Sequence, residues 1–190
     1  GGTPTAVFSS IFETAARFSS TNTGGGTVTI PSAASGVSIS TSATGTSSSS
    51  ITAQITQGNY LNNGSPTFSC VMGADTWGTD FSSYFGMGLV TIDGTSLTFT
   101  DRHIGFKITR AASGTVNLYA TQGDSVTETV SASLTTYAVG DGDGMEFIAK
   151  VNSTTSVDYY WRKSGGALSA ATNLTSNMPT TCSRMTFAVS

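Results

Sequence analysis

The sequence is poor in charge: Asp, Glu, Lys and Arg make up only 10% of its residues, against roughly 25% in an ordinary soluble domain. Eight basic residues are outnumbered by eleven acidic ones, and no basic patch exists. That excludes the clustered Lys and Arg needed to neutralise nucleic-acid phosphates. After Glu13 and Arg17 no charged residue occurs until Asp75. Apolar runs are also short, none approaching the roughly 18 residues of a membrane helix. The start lacks the basic region and long apolar core of a signal peptide. It begins with Gly, and a processed, excised or fragmentary chain is expected. Neither nucleic acid nor a membrane is expected as a partner.

Catalytic residue types are scarce as well. There are three glutamates, Glu13, Glu128 and Glu146, and none lies in the closely spaced acidic pattern that sets a glycosidase pair on one strand face. The one histidine, His103, stands in "TDRHIGF" with no G-x-S-x-G elbow in the chain. It reads as a structural or surface residue at a strand start. The segment "GDGDGMEF" offers Asp141, Asp143 and Glu146 as hard oxygen ligands for Ca²⁺, but it is not the twelve-residue EF-hand loop. A Gly/Asp turn between strands explains the same residues. No enzyme activity, metal or cofactor is expected. Cys70 and Cys182 are read as two buried thiols, with one long-range disulfide as the alternative.

What the chain has in abundance is hydroxyl: Ser and Thr supply about a third of its 190 positions. Such a length suits one all-β domain. Residues 4–18 carry Phe8, Ile11, Phe12 and Ala15 at helical spacing, with Thr3 as N-cap and Pro4 at the first helical position. This predicts a short amphipathic helix whose apolar stripe, Phe8, Ile11 and Phe12 above all, needs a cover from its own domain, another subunit or a capsid surface. Three glycines then end the helix, and residues 32–50 are almost entirely Ser, Thr, Ala and Gly. Val28, Ile30, Val37 and Ile39 alternate well enough there for short edge strands; a linker or an exchanged arm is the alternative.

From residue 51 the period changes to two, in short runs bounded by turn residues, which is the signature of a sandwich or barrel. Strands are expected over 51–57, 67–73, 85–92, 95–100, 103–110, 114–122, 125–134, 144–152, 156–163 and 184–190, with a hairpin at Asp93-Gly94. Alternation places Ile104, Phe106 and Ile108 on one face, as it does Phe147, Ala149 and Val151. Residues 1–50 are read as a helix and hydroxyl-rich arm, and 51–190 as an antiparallel domain.

The run "RHIGFKITRAASGTVNLYATQGDSVTETVSASLTT", then "GDGDGMEFIAKVNSTTSVDYYWRK" and "NLTSNMP" before a last aromatic strand, resembles the concanavalin A-like jelly-roll modules of tailed-bacteriophage virion proteins. The likeness covers roughly residues 60–190. It implies an all-β jelly-roll sandwich in a virion surface protein of the head-decoration, cement or fibre type, often trimeric, at times with glycan affinity. No sugar or metal ligand motif of the family carries over.

Glycan binding requires exposed aromatics flanked by hydrogen-bonding groups. Two stretches qualify: Trp77 in "GADTWGTDF", and "SVDYYWRKSGG". In the second, alternation sends Val157, Tyr159 and Trp161 to one face and Asp158, Tyr160 and Arg162 to the other. Trp77, Tyr160 and Arg162 are the candidate glycan residues. "NGS", "NST" and "NLT" at Asn63, Asn152 and Asn173 match the glycosylation sequon, which has meaning only in a secreted eukaryotic protein. The chain is thus expected to be a non-enzymatic virion structural protein at the particle surface, partnering itself as a homotrimer and other virion proteins. A glycan-binding adhesin module or an extracellular filament subunit is the alternative.

Overall fold

The computed structural model describes residues 18–29, 38–40, 48–54, 61, 65–72, 80–93, 96–111, 114–137, 144–182 and 184–190. Among these, every element of regular length is a strand. In chain order they are β1 (Phe18–Thr23), β2 (Thr27–Thr29), β3 (Ser38–Ser40), β4 (Ser48–Gln54), β5 (Thr67–Met72), β6 (Phe81–Gly88), β7 (Thr91–Asp93) and β8 (Ser96–Thr98). There follow β9 (Arg102–Arg110), β10 (Val116–Asp124), β11 (Glu128–Val130), β12 (Thr135–Tyr137), β13 (Met145–Ser153), β14 (Ser156–Lys163), β15 (Thr172–Leu174) and β16 (Arg184–Val189). The expected helix with Phe8, Ile11 and Phe12 lies outside the described residues, except that Phe18 opens β1.

Two antiparallel sheets face each other. The large one runs β1-β4-β16-β6-β9-β10-β11, with β12 also on β10, and the small one runs β15-β14-β13-β5. This is the expected all-β, antiparallel jelly-roll sandwich. Alternation drives it: along β13, Met145, Phe147, Ala149 and Val151 are buried while Glu146, Ile148 and Lys150 are not. Ile104, Phe106 and Ile108 of β9 are wholly buried. The sheets meet through aromatic contacts. The Phe147 ring lies 4.6 Å from that of Phe85 and 5.2 Å from that of Phe106, and Phe106 meets Tyr159 edge-on at 5.4 Å. Offset and edge-on geometries of this kind add to what area burial alone supplies.

The short edge strands expected near Val28 and Ile39 are β2 and β3, which pair those two residues directly. Three boundaries differ from expectation. The 85–92 run breaks at Gly88, whose φ of +94° is a left-handed value, and the chain folds back as the β7–β8 ribbon. Asp93 pairs with Ser96 there, closing the expected hairpin. The 125–134 run is two strands, β11 and β12, both pairing with the outer edge of β10. Its start is taken by a turn in which the Asp124 carboxylate accepts from the Val126 and Thr127 amides, with Ser125 at φ +88°. These are the local hydrogen bonds by which Asp competes with a ladder. Finally, β15 was not expected, being only three residues long.

Cys70 and Cys182 form no disulfide. Cys182 is buried and Cys70 half-buried against the core; burial pushes both thiols up, Cys182 to about 12, so the free-thiol reading holds, with Cys70 less enclosed than expected.

Candidate functional site

The outer faces of the two sheets differ. Over the large sheet, Gly86 and Gly105 stand opposite each other on β6 and β9. A Cβ on Gly105 would lie 2.8 Å from both the Gly86 Cα and the Tyr84 hydroxyl. That bare backbone patch lets the Tyr84 phenol lie flat and donate to the Met87 carbonyl at 2.7 Å. Val90, Leu97 and Phe99, from the ribbon and its flanks, close over Tyr84 as a second apolar cluster. His103 is buried beneath them, its ring edge-on to Tyr84 at 5.5 Å and 5.7 Å from Phe99. This histidine is therefore the structural one, not a surface one.

Over the small sheet, the β13–β14 hairpin presents an open face in cross-strand rows. One row is Val71, Glu146 and Arg162, the next Ser69, Ile148 and Tyr160, and the third Thr67, Lys150, Asp158 and Asn173. Tyr160 is half-buried between two sets of partnered polar groups. On one side Arg162 and Glu146 form an ion pair with side chains 44% and 27% exposed. On the other, the Asn173 amide donates to the Asp158 carboxylate at 2.7 Å and to Ser156 Oγ at 2.8 Å. Hydrogen bonds from Asn152 and Asn173 hold the Asp158 carboxyl below its usual range. At one end of the face lies a shallow, open depression of about 310 Å³ lined by Val71, Glu146, Arg162 and the 164–166 turn. Val71 is 77% exposed there.

The expected division of residues 156–163 holds. Val157 and Tyr159 point inward and are wholly buried, Trp161 packs against the core, and Asp158, Tyr160 and Arg162 point outward. The Tyr159 hydroxyl, which burial obliges to find a partner, lies 3.1 Å from the Thr121 carbonyl and 3.1 Å from Gln122 Oε1.

Of the candidate glycan residues, Tyr160 and Arg162 thus share one face, two positions apart, and Trp77 lies outside the described residues. So do Asp141 and Asp143, whereas Glu146 is engaged by Arg162. Among the described residues no three His, Cys, Asp or Glu side chains gather as a metal-binding group. Sequence reasoning missed Lys150, Asn152 and Asn173 as members of the polar face. Parity placed Lys150 on it, but the asparagines could be found only through the β13–β14 turn and the pairing of β14 with β15.

No protein-family model and no curated protein matches the sequence. Solved structures do show likeness at low identity. Peanut lectin, in complex with a nine-residue peptide, is 12% identical over 90% of this chain and 88% of its own, with a TM-score of 0.45. A carbohydrate esterase from Shiga toxin-encoding bacteriophage phi24B is 16% identical over the same shares, with a TM-score of 0.42. The alginate lyase of Alteromonas sp. 272 is 9% identical over 74% of this chain, with a TM-score of 0.40, and the chain spans only 57% of that enzyme's length. What those proteins bind or cleave is theirs.

Proposed function

We propose that the protein is a non-enzymatic recognition module displayed at the exterior of a virion or cell, and that it binds glycans on the open face of the small sheet. The observation that carries this reading is Tyr160, an aromatic ring half-open between the Glu146–Arg162 pair and the Asp158–Asn173 pair. A pyranose ring stacks its C–H face on such a phenol, and its hydroxyls both donate and accept, as do the flanking side chains. The acids and amides are held by one another, so the face is organised before a ligand arrives, which lowers the ordering cost of binding.

The absence of enzymatic activity belongs to the same proposal. The two described glutamates sit on opposite outer faces of the sandwich, Glu128 with Lys107 and Glu146 with Arg162. Packed sheets are ~10 Å apart, too far for these two glutamates to flank one glycosidic bond at about 5 to 9.5 Å. The test is a glycan array followed by titration calorimetry on the hits. Binding that is lost in Tyr160→Ala and weakened in Arg162→Ala supports the reading; unchanged binding in both, or none in the parent protein, overturns it.

A second reading, as a decoration, cement or fibre subunit of a virion that assembles as a homotrimer, is favoured by the absence of charge over residues 18–74 and by the exposed Val71 on β5, an edge strand of the small sheet. Purified protein that runs as a trimer by mass photometry and is found in purified particles supports it. A stable monomer absent from every particle fraction defeats it.

A further inference from the structure

The protein's single histidine is neither exposed nor part of the open face, yet it is built into a chain of polar groups. Its ring fills the space left by Gly123 of β10, where a Cβ would lie 2.6 Å from Cε1 and 2.8 Å from Nδ1. Nδ1 is 2.7 Å from the Asp101 carbonyl oxygen, and Nε2 is 3.0 Å from Thr121 Oγ1. The same Thr121 oxygen is 2.7 Å from Glu128 Oε1, on β11, and Lys107 Nζ of β9 is 3.4 Å from that carboxylate oxygen.

Counting hydrogens shows why these contacts are coupled. A carbonyl only accepts, so Nδ1 carries a proton. A carboxylate only accepts, so it needs the Thr121 hydroxyl proton. Thr121 has one such proton and two neighbours that want it whenever Nε2 is bare.

We propose that His103, Thr121 and Glu128 form a proton-reading clasp, in which the protonation of His103 sets, through the direction of the single Thr121 hydroxyl proton, how firmly edge strand β11 is held to β10. With His103 neutral, the bare Nε2 at 3.0 Å competes with Glu128 at 2.7 Å for the one Thr121 hydroxyl proton, and Glu128 holds it only in part, beside Lys107. When a proton from solvent adds to Nε2, that nitrogen donates to Thr121 Oγ1. The hydroxyl proton is then left wholly to Glu128, which holds both Thr121 and Lys107 at full strength. No other bond changes.

Burial lowers the affinity of His103 for a proton, the Asp101 carbonyl and Glu128 pull it back up, and Lys107 pushes it down. Titratable groups reach the ring from three neighbouring elements. β6 brings the Tyr84 phenol, β9 and its approach bring Asp101 and Lys107, and β11 brings Glu128. What the clasp controls is a sheet edge with exposed apolar groups on and just before β11: Val130 is 40% exposed and Val126, in the preceding turn, 80%.

The test is imidazole and amide NMR on the full chain, where one histidine leaves no ambiguity of assignment. Near neutral pH the imidazole nitrogens are expected to report the Nδ1–H tautomer. On acidification the Glu128 and Thr129 amides are expected to shift with the same midpoint as His103. Thr121→Val should leave the histidine titrating while the β11 shifts vanish, and Thr121→Ser should restore them. An Nε2–H tautomer near neutrality, β11 amides that stay flat through the histidine titration, or a coupled shift that survives Thr121→Val would each overturn the clasp. Should Thr121→Val fail to fold, the tautomer and co-titration of the parent protein decide the matter alone.

Discussion

The two outer faces of this sandwich start from the same period-two strands and end differently. On the large sheet, two facing glycines strip the backbone bare, a ribbon folds back at Gly88, and Tyr84, Phe99 and His103 disappear beneath it. On the small sheet no described element crosses the β13–β14 hairpin, and Tyr160 stays half-open among side chains that satisfy one another. One face is therefore part of the core and the other is available, although both carry a tyrosine at an outward-pointing position. The difference lies in what the glycines allow, not in the tyrosines.

Truncation should expose that difference most sharply. Tyr84→Ala removes a buried ring and is expected to cost about 3 to 5 kcal/mol, whereas Tyr160→Ala should stay within about 1 kcal/mol; urea unfolding of both variants measures the gap. Equal costs would mean that the two faces are equally covered.

Gly105→Ala comes next. Its methyl would meet the Gly86 Cα and the Tyr84 hydroxyl, and such overpacking typically costs about 1 to 3 kcal/mol. An unchanged midpoint would refute the close approach. On the core side of β14, Tyr159→Phe deprives the Thr121 carbonyl and Gln122 of a donor and should cost roughly 1 to 3 kcal/mol.

The pH dependence tests the covered face alone. The folded-state pKa of His103 lies below its ordinary 6.5 because burial disfavours the cation. The unfolded chain therefore binds more protons, and stability rises with pH. The contribution is fully present above pH 6.5 and is lost as pH falls from there toward the folded pKa. His103→Gln should flatten that slope; a parent protein equally stable throughout that range would contradict the buried neutral ring.

The smallest stability effect is expected at the open face's own ion pair. Glu146→Gln removes one partner of an exposed pair and should cost less than about 1 kcal/mol, measured by thermal melting.

Much of the sandwich could be read in the sequence because alternation survives wherever one face is buried. Thus β9, β13 and β14 were located within a residue or two, and the inward and outward sides of "SVDYYWRKSGG" were assigned correctly. What parity does not encode is where a sheet is covered. Nothing in "FGMGLVTI" alone distinguishes a continuous strand from one that breaks at Gly88, because the break depends on β9 lying against it. His103 looked like a residue at a strand start, and its partners Thr121 and Glu128 lie 18 and 25 positions away, joined only by the β9-β10-β11 pairing. The polar face was half visible for the same reason: Tyr160 and Arg162 share a strand, while Asn152 and Asn173 reach Asp158 from other segments.

Glycan binding is expected on the open face and nowhere else. Calorimetric titration of the best array glycan into the parent protein and into Tyr160→Ala, with matched melting curves, tests this most directly. Measurable binding to the parent is expected, with its loss in Tyr160→Ala while the melting temperature falls by no more than about 4 °C. Binding that persists in Tyr160→Ala, or a parent protein that binds no glycan at all, would contradict it.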